Sequence, residues 1–114
     1  MDEILTERLL LRRARQDDAA AMHRIMSNPV AMRYWSTPPH TDMDQTERWM
    51  ASMVEDDPFV RDDFIVTLGG VLIGKLGAWR LPEIGFLLDP AHWGHGYARE
   101  ALAAYVERRR PDFA

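Results

Sequence analysis

Glu83-Ile-Gly-Phe-Leu-Leu-Asp-Pro-Ala-His-Trp-Gly-His-Gly-Tyr-Ala-Arg-Glu-Ala-Leu102 reads as an apolar strand, a glycine loop and the first turns of an amphipathic helix. Ile84, Phe86 and Leu88 alternate with Glu83, Gly85 and Leu87, the two-residue period of a strand. Asp89-Pro90 ends it. From Tyr97 the period changes, and Ala98, Ala101, Leu102, Tyr105 and Val106 share one helical face. Gly94 and Gly96 stand just ahead of that helix, where N–H groups without intrahelical acceptors meet the positive end of the dipole. Such a place binds anions, phosphates above all, and glycine lets a ligand approach the backbone with no Cβ in the way.

Two familiar phosphate loops do not fit. A Walker loop ends in Gly-Lys-Ser/Thr, which is missing here. A dinucleotide fingerprint needs a glycine or alanine three residues after Gly96, where Arg99 stands, and the preceding sequence reads as hairpins rather than a βαβ start.

The 114 residues suffice for one small domain with a modest core. Hydrophobic residues make up 46% and charged residues 28%, ordinary values for a globular chain. No apolar run is long enough to span a membrane as a helix, and Met1-Asp-Glu-Ile4 has no signal-peptide character. The lack of cysteine removes disulfides, thiol nucleophiles and thiolate metal sites and is compatible with the expected cytoplasmic location. A net charge of −4 gives no footprint for nucleic acid, and Arg108-Arg109-Arg110 reads as dipole compensation at a helix C-terminus.

Along the chain, Arg8 to Ala14 reads as a strand with Leu9 and Leu11 on one face. Asp17-Asp18 starts a helix with Ala19, Met22, Ile25 and Met26 as its buried stripe, stopped by Asn28-Pro29. Val30 to Tyr34 forms a short turn or helix, and Trp35-Ser-Thr-Pro-Pro-His40 is a loop. Thr41 or Asp42 caps a second helix that buries Met43, Met50, Met53 and Val54 and ends at Glu55-Asp-Asp-Pro58. Asp63 to Leu68 and Val71 to Trp79 form a hairpin around Gly69-Gly70. Leu81-Pro82 turns the chain into the strand Glu83 to Leu88. The order is β-α-α-β-β-β-loop-α in a single α+β domain spanning residues 1–114.

Trp93-Gly-His-Gly-Tyr-Ala98 resembles the pyrophosphate loop of GNAT-superfamily N-acetyltransferases, Gln/Arg-x-x-Gly-x-Gly/Ala, with Gly96 and Ala98 at its last two fixed positions. Trp93 replaces the usual Gln or Arg, as in the branch related to ribosomal-protein-alanine N-acetyltransferases. Gly96-Tyr-Ala-Arg-Glu-Ala-Leu102 and Thr6-Glu-Arg-Leu-Leu-Leu-Arg-Arg13 are similar to that branch's wording. The resemblance runs from about Thr6 to about Arg109. It implies a GNAT fold lacking its C-terminal strands and helix, because the family continues past this helix. A shortened gene, a fragment, and an enzyme completed by a partner or a second copy all account for that. The resemblance also implies acetyl transfer from acetyl-CoA to a primary amine, either a protein N-terminus or a small molecule. The rival reading is a catalytically inactive module that binds CoA weakly or only self-associates.

On the same resemblance, Trp93, Gly94, His95, Gly96, Tyr97, Ala98 and Arg99 hold the CoA pyrophosphate. The backbone of Phe86, Leu87 and Leu88 meets the pantetheine amides, and the Leu88 N–H polarises the thioester. Phe86 is expected to be buried in either case. Glu83 matches a general-base position; otherwise it is a solvent-facing strand end. Trp35 flanks the acceptor site, although core packing or loop anchoring is the better account of each tryptophan taken alone. Tyr97 and Tyr105 receive no acid role. His92 and His95 have no third metal ligand nearby in sequence and read as loop histidines, so no metal is expected. The strand Glu83 to Leu88, bare on one edge, is expected to recruit a second copy or a complementing chain.

Overall fold

The structure, a computed structural model, describes residues 3–33, 35, 37–55, 62–80 and 83–108, with backbone alone at 55, 62, 78–80 and 83. The helix stop at Pro58, the Leu81-Pro82 turn, the Trp79 side chain and Arg109-Arg110 fall outside what is described. The elements are β1 (Glu3–Leu5), β2 (Leu9–Arg12), α1 (Ala19–Met26), α2 (Met43–Glu55), β3 (Asp62–Leu68), β4 (Val71–Arg80), β5 (Glu83–Leu88) and α3 (Tyr97–Arg108). The strands form one antiparallel sheet in the order β1-β2-β3-β4-β5. This is the expected α+β order with one addition. Glu3–Leu5, too short to carry a period, folds back on β2 with Glu3 opposite Arg12.

Local chemistry accounts for the connections. Gly69 and Gly70 have φ of 57° and 85°, the left-handed pair that a tight β3–β4 hairpin turn requires. At the start of α2 the Gln45 N–H donates to Asp42 Oδ1 (2.9 Å), while Gln45 Oε1 accepts from the Thr41 N–H (2.6 Å). This reciprocal cap satisfies donors that the first turn leaves open. Before α1, Arg12 grips Asp18 with both terminal guanidinium nitrogens (3.0 and 2.8 Å).

Each face of the sheet is packed. Met22, Ile25, Met26, Met50 and Met53 of α1 and α2 cover Ile65, Leu72 and Leu87. Ala101 and Tyr105 of α3 cover the opposite face, with Leu9, Leu11, Phe64, Val66, Ile73, Leu76 and Leu88. The Tyr105 ring meets Phe64 edge-on at 6.0 Å. Leu9, Leu11 and the α1 stripe are buried as expected.

Four burial expectations are overturned. Val54, Leu102 and Val106 are exposed because α2 and α3 each present a narrower stripe to the sheet than their periodicity suggests. Phe86 is 45% exposed. Its strand is the sheet edge, and among the described residues α3 does not reach over it.

Candidate active site

The β5–α3 connection takes the anticipated form. Gly94 and Gly96 have φ of 81° and 80°, values that a side chain would strain. Among the described residues, the N–H groups from Gly94 to Arg99 meet no acceptor; Glu100 is the first to donate, to the Gly96 carbonyl at 3.0 Å. These donors and the end of the α3 dipole point at one spot. Trp93 is anchored by its Nε1–H to the Leu88 carbonyl at 2.9 Å. His95 stacks on Tyr97, with ring centres 5.5 Å apart.

The N-terminal strands hold this loop in place. Glu100 accepts from the Thr6 hydroxyl (2.5 Å), the Arg8 N–H (2.8 Å) and Arg8 Nε (2.7 Å). A second guanidinium nitrogen of Arg8 donates to the His95 carbonyl at 3.0 Å, and the guanidinium lies 4.6 Å from the Tyr97 ring centre. Sequence reading assigned no task to Thr6, Arg8 or Glu100, because 92 residues separate the last two. The Thr6 hydroxyl, followed by the Arg8 N–H and guanidinium, holds the Glu100 carboxyl below its ordinary range. A carboxylate depressed in the folded state contributes stability above its unfolded pKa, and that stability is lost as pH falls through the folded value. Glu100→Gln is therefore expected to lower the melting temperature at neutral pH, with the gap to wild type closing in acid. Thermal melts across pH check this, and a gap independent of pH would contradict it.

Along β5, the Asp89 N–H donates to the Ile73 carbonyl at 2.8 Å, which makes Gly74 and Leu88 the non-hydrogen-bonded pair of the ladder. The Leu88 N–H therefore points away from β4, toward an edge that pairs with no described strand. Hollows follow this edge. One, of about 270 Å³, lies between Phe86, Leu88, Trp93 and the glycine loop. The next, of about 220 Å³, shares Phe86, Leu88 and Trp93 and reaches Trp35. Trp35 also walls a larger cleft of about 480 Å³, opposite Trp49, with Pro38, Pro39 and His40 at the rim and Lys75, Gly77 and Gly85 at the floor. At that floor Lys75 Nζ meets Asp63 Oδ1 at 2.7 Å, both side chains almost fully buried, with the Trp35 and Trp49 ring centres 5.6 and 5.4 Å from the nitrogen.

The structure brings together the loop residues Trp93 to Arg99, the edge residues Phe86 to Leu88, and Trp35. Glu83 opens β5, but its side chain lies outside what is described. Trp49, Lys75, Asp63 and His40 were not read as site residues. A lysine inside Val71-Leu-Ile-Gly-Lys-Leu-Gly77 was the available signal, since a charge on an apolar strand needs a buried partner. Among the described residues no three His, Asp or Glu side chains converge as metal ligands, and no helix is long and apolar enough to cross a membrane.

Known proteins are similar to this chain in sequence and fold. An uncharacterized N-acetyltransferase, p20, of Bacillus licheniformis is 32% identical over 94% of this chain, which spans 65% of that relative's length. A GNAT-family acetyltransferase of Bacillus anthracis superposes with a TM-score of 0.80 at 26% identity, covering 96% of this chain and 68% of that one. RimL, a ribosomal L7/L12 α-N-protein acetyltransferase in complex with coenzyme A, shares the fold alone, with a TM-score of 0.79 at 19% identity over 97% of this chain and 70% of its own. The acetyltransferase (GNAT) domain family matches residues 8–110, which include the Arg8 clip, the β5 edge and the glycine loop, and the chain belongs to that family.

Proposed function

We propose that this chain transfers an acetyl group from acetyl-CoA to a primary amine. The observation that carries the reading is the line of adjoining hollows from the glycine loop, along the open edge of β5, to the tryptophan cleft. The N–H groups from Gly94 to Arg99 suit a pyrophosphate, and the outward N–H groups of Phe86 and Leu88 with the Phe86 carbonyl suit an amide-bearing arm. Acetyl-CoA supplies an activated thioester. The Leu88 N–H is the donor for its carbonyl oxygen. The amine enters between Trp35 and Trp49, whose apolar walls favour its neutral, nucleophilic form. Direct attack needs no acyl-enzyme, in keeping with a chain that has no cysteine. A protein α-amine, the acceptor of the fold-sharing RimL, is the first acceptor class to test.

Gly96→Val is expected to weaken CoA binding at least tenfold, about 1.4 kcal/mol. The valine would occupy a φ of 80° with its Cβ 3.5 Å from the Arg8 guanidinium. Calorimetry on the folded variant decides it, and unchanged affinity would remove the loop from the site. Glu83, at the head of β5, is the proposed base for the attacking nitrogen, directly or through water. Glu83→Gln should lower kcat most at neutral pH and least where the amine is already neutral; an equal loss at every pH would mark it as structural. The open β5 edge supports a second reading, an assembly module that pairs with another copy or a complementing chain. A chain that sediments as a dimer yet acetylates no amine would favour it.

A further inference from the structure

We propose that His40, Thr46 and His23 form a relay that carries the proton released by the acceptor amine from the tryptophan cleft to solvent. The inference rests on the acetyl-transfer reading and adds a catalytic residue to it. His40 lines the cleft. Its Nδ1 lies 2.7 Å from Thr46 Oγ1, and His23 Nδ1 lies 2.7 Å from the same oxygen. Thr46 is fully buried on α2, whereas His23 on α1 is partly exposed. Among the described residues Nε2 of His40 has no partner.

One hydroxyl shared by two imidazoles fixes their roles. Thr46 has a single proton to donate, so in the neutral state one Nδ1 accepts from it and the other donates to it. Base chemistry at the cleft needs His40 to be the donor, with its proton on Nδ1 and the Nε2 lone pair free for substrate. Thr46 then donates to His23 Nδ1, and His23 keeps its proton on Nε2.

The proton count calls for such a route. An ammonium nitrogen gives up one proton before its lone pair can attack and another as the N–C bond forms and the C–S bond breaks. One ends on the departing CoA thiol and the other must reach water. His40 Nε2 accepts the proton lost before attack, a further acceptor beside Glu83 for keeping the amine neutral. The Nδ1 proton of His40 passes to Thr46, the Thr46 proton passes to His23 Nδ1, and His23 releases its Nε2 proton to water. Exchange with water at both rings resets the chain once product has left.

The charges around His40 agree with this role. His23 faces it from α1, Asp42 from the start of α2, and Lys75 with Asp63 from the cleft floor. Burial, then the nearby His23, holds His40 below the usual imidazole range, against the opposing pull of Asp42. His40 is thus neutral at neutral pH, with a nitrogen able to accept a proton.

Histidine-selective nitrogen NMR of the full chain at alkaline pH tests the arrangement. The expected result is His40 protonated on Nδ1 and His23 on Nε2, with Thr46→Val returning His40 to the ordinary Nε2–H form and Thr46→Ser preserving the pattern. With acetyl-CoA and a peptide bearing a free α-amine, His40→Gln and Thr46→Val should lower kcat/KM about tenfold or more at neutral pH. That loss should shrink at alkaline pH, and Thr46→Ser should retain activity. A wild-type His40 protonated on Nε2 overturns the relay, as does an unchanged pH profile in both variants. A wild-type chain that turns nothing over defeats the acetyl-transfer reading instead, while the two tautomers still decide whether the relay exists.

Discussion

Replacing Lys75 with methionine is expected to destabilise the protein by about 3–5 kcal/mol, a large share of a small domain's stability. Lys75 and Asp63 sit at 3% and 2% side-chain exposure with 2.7 Å between Nζ and Oδ1. Methionine matches the lysine stem but removes the charge that the buried Asp63 carboxylate meets at 2.7 Å. Solvation lost on burial far exceeds what hydrogen bonds alone return. Changing both partners, Asp63→Leu with Lys75→Met, should cost far less than the two single changes summed, because no buried charge is left uncompensated. Denaturant unfolding of the four proteins gives the coupling. Additive losses would show that the pair is an incidental contact. The same substitution should empty the cation position between Trp35 and Trp49, so their fluorescence should report on the cleft floor directly.

Gly74→Ala should be nearly as damaging, at about 3 kcal/mol or more. Between β3 and β4 the register steps from Val66 opposite Gly74 to Thr67 opposite Leu72, leaving Ile73 as an extra residue in β4. Such a bulge bends its strand and brings the backbone closer to its neighbour. A Cβ on Gly74 would lie 2.1 Å from the Leu87 carbonyl oxygen and 3.0 Å from the Leu88 Cα. Both atoms belong to backbone, so the clash can be relieved only by moving β5. That strand carries the Leu88 N–H and one wall of the hollows, so CoA affinity should fall along with stability. Gly85→Ala is the control in the same pair of strands. Its Cβ would meet the Trp35 ring at 3.7 Å, an ordinary contact, and should be tolerated within about 1 kcal/mol. If thermal unfolding gave equal losses for the two variants, glycine flexibility rather than close approach would be the cause.

The elements ruled by local backbone energetics were readable from the chain alone. The change of period at Tyr97, the Gly69-Gly70 turn, the methionine stripe of α1 and the unoccupied donors ahead of α3 each depend on residues within a few positions of one another. The glycine loop belongs to this class, and so its turn conformation and its row of open N–H donors were legible before any fold was known. Burial was less legible. Phe86, Val54, Leu102 and Val106 lie on correctly placed elements, but whether an apolar side chain is covered depends on what packs above it. Three features came only from tertiary structure: the Thr6–Arg8 grip on Glu100, the Asp63–Lys75 pair between two tryptophans, and the meeting of His23 and His40 on Thr46. Each joins residues from different elements. Strand register and helix docking set those meetings, and both are properties of the whole packed sheet rather than of any stretch of sequence. The proposed cofactor end of the site was therefore written locally, while the proposed acceptor cleft exists only once β3, β4, α1 and α2 have packed together.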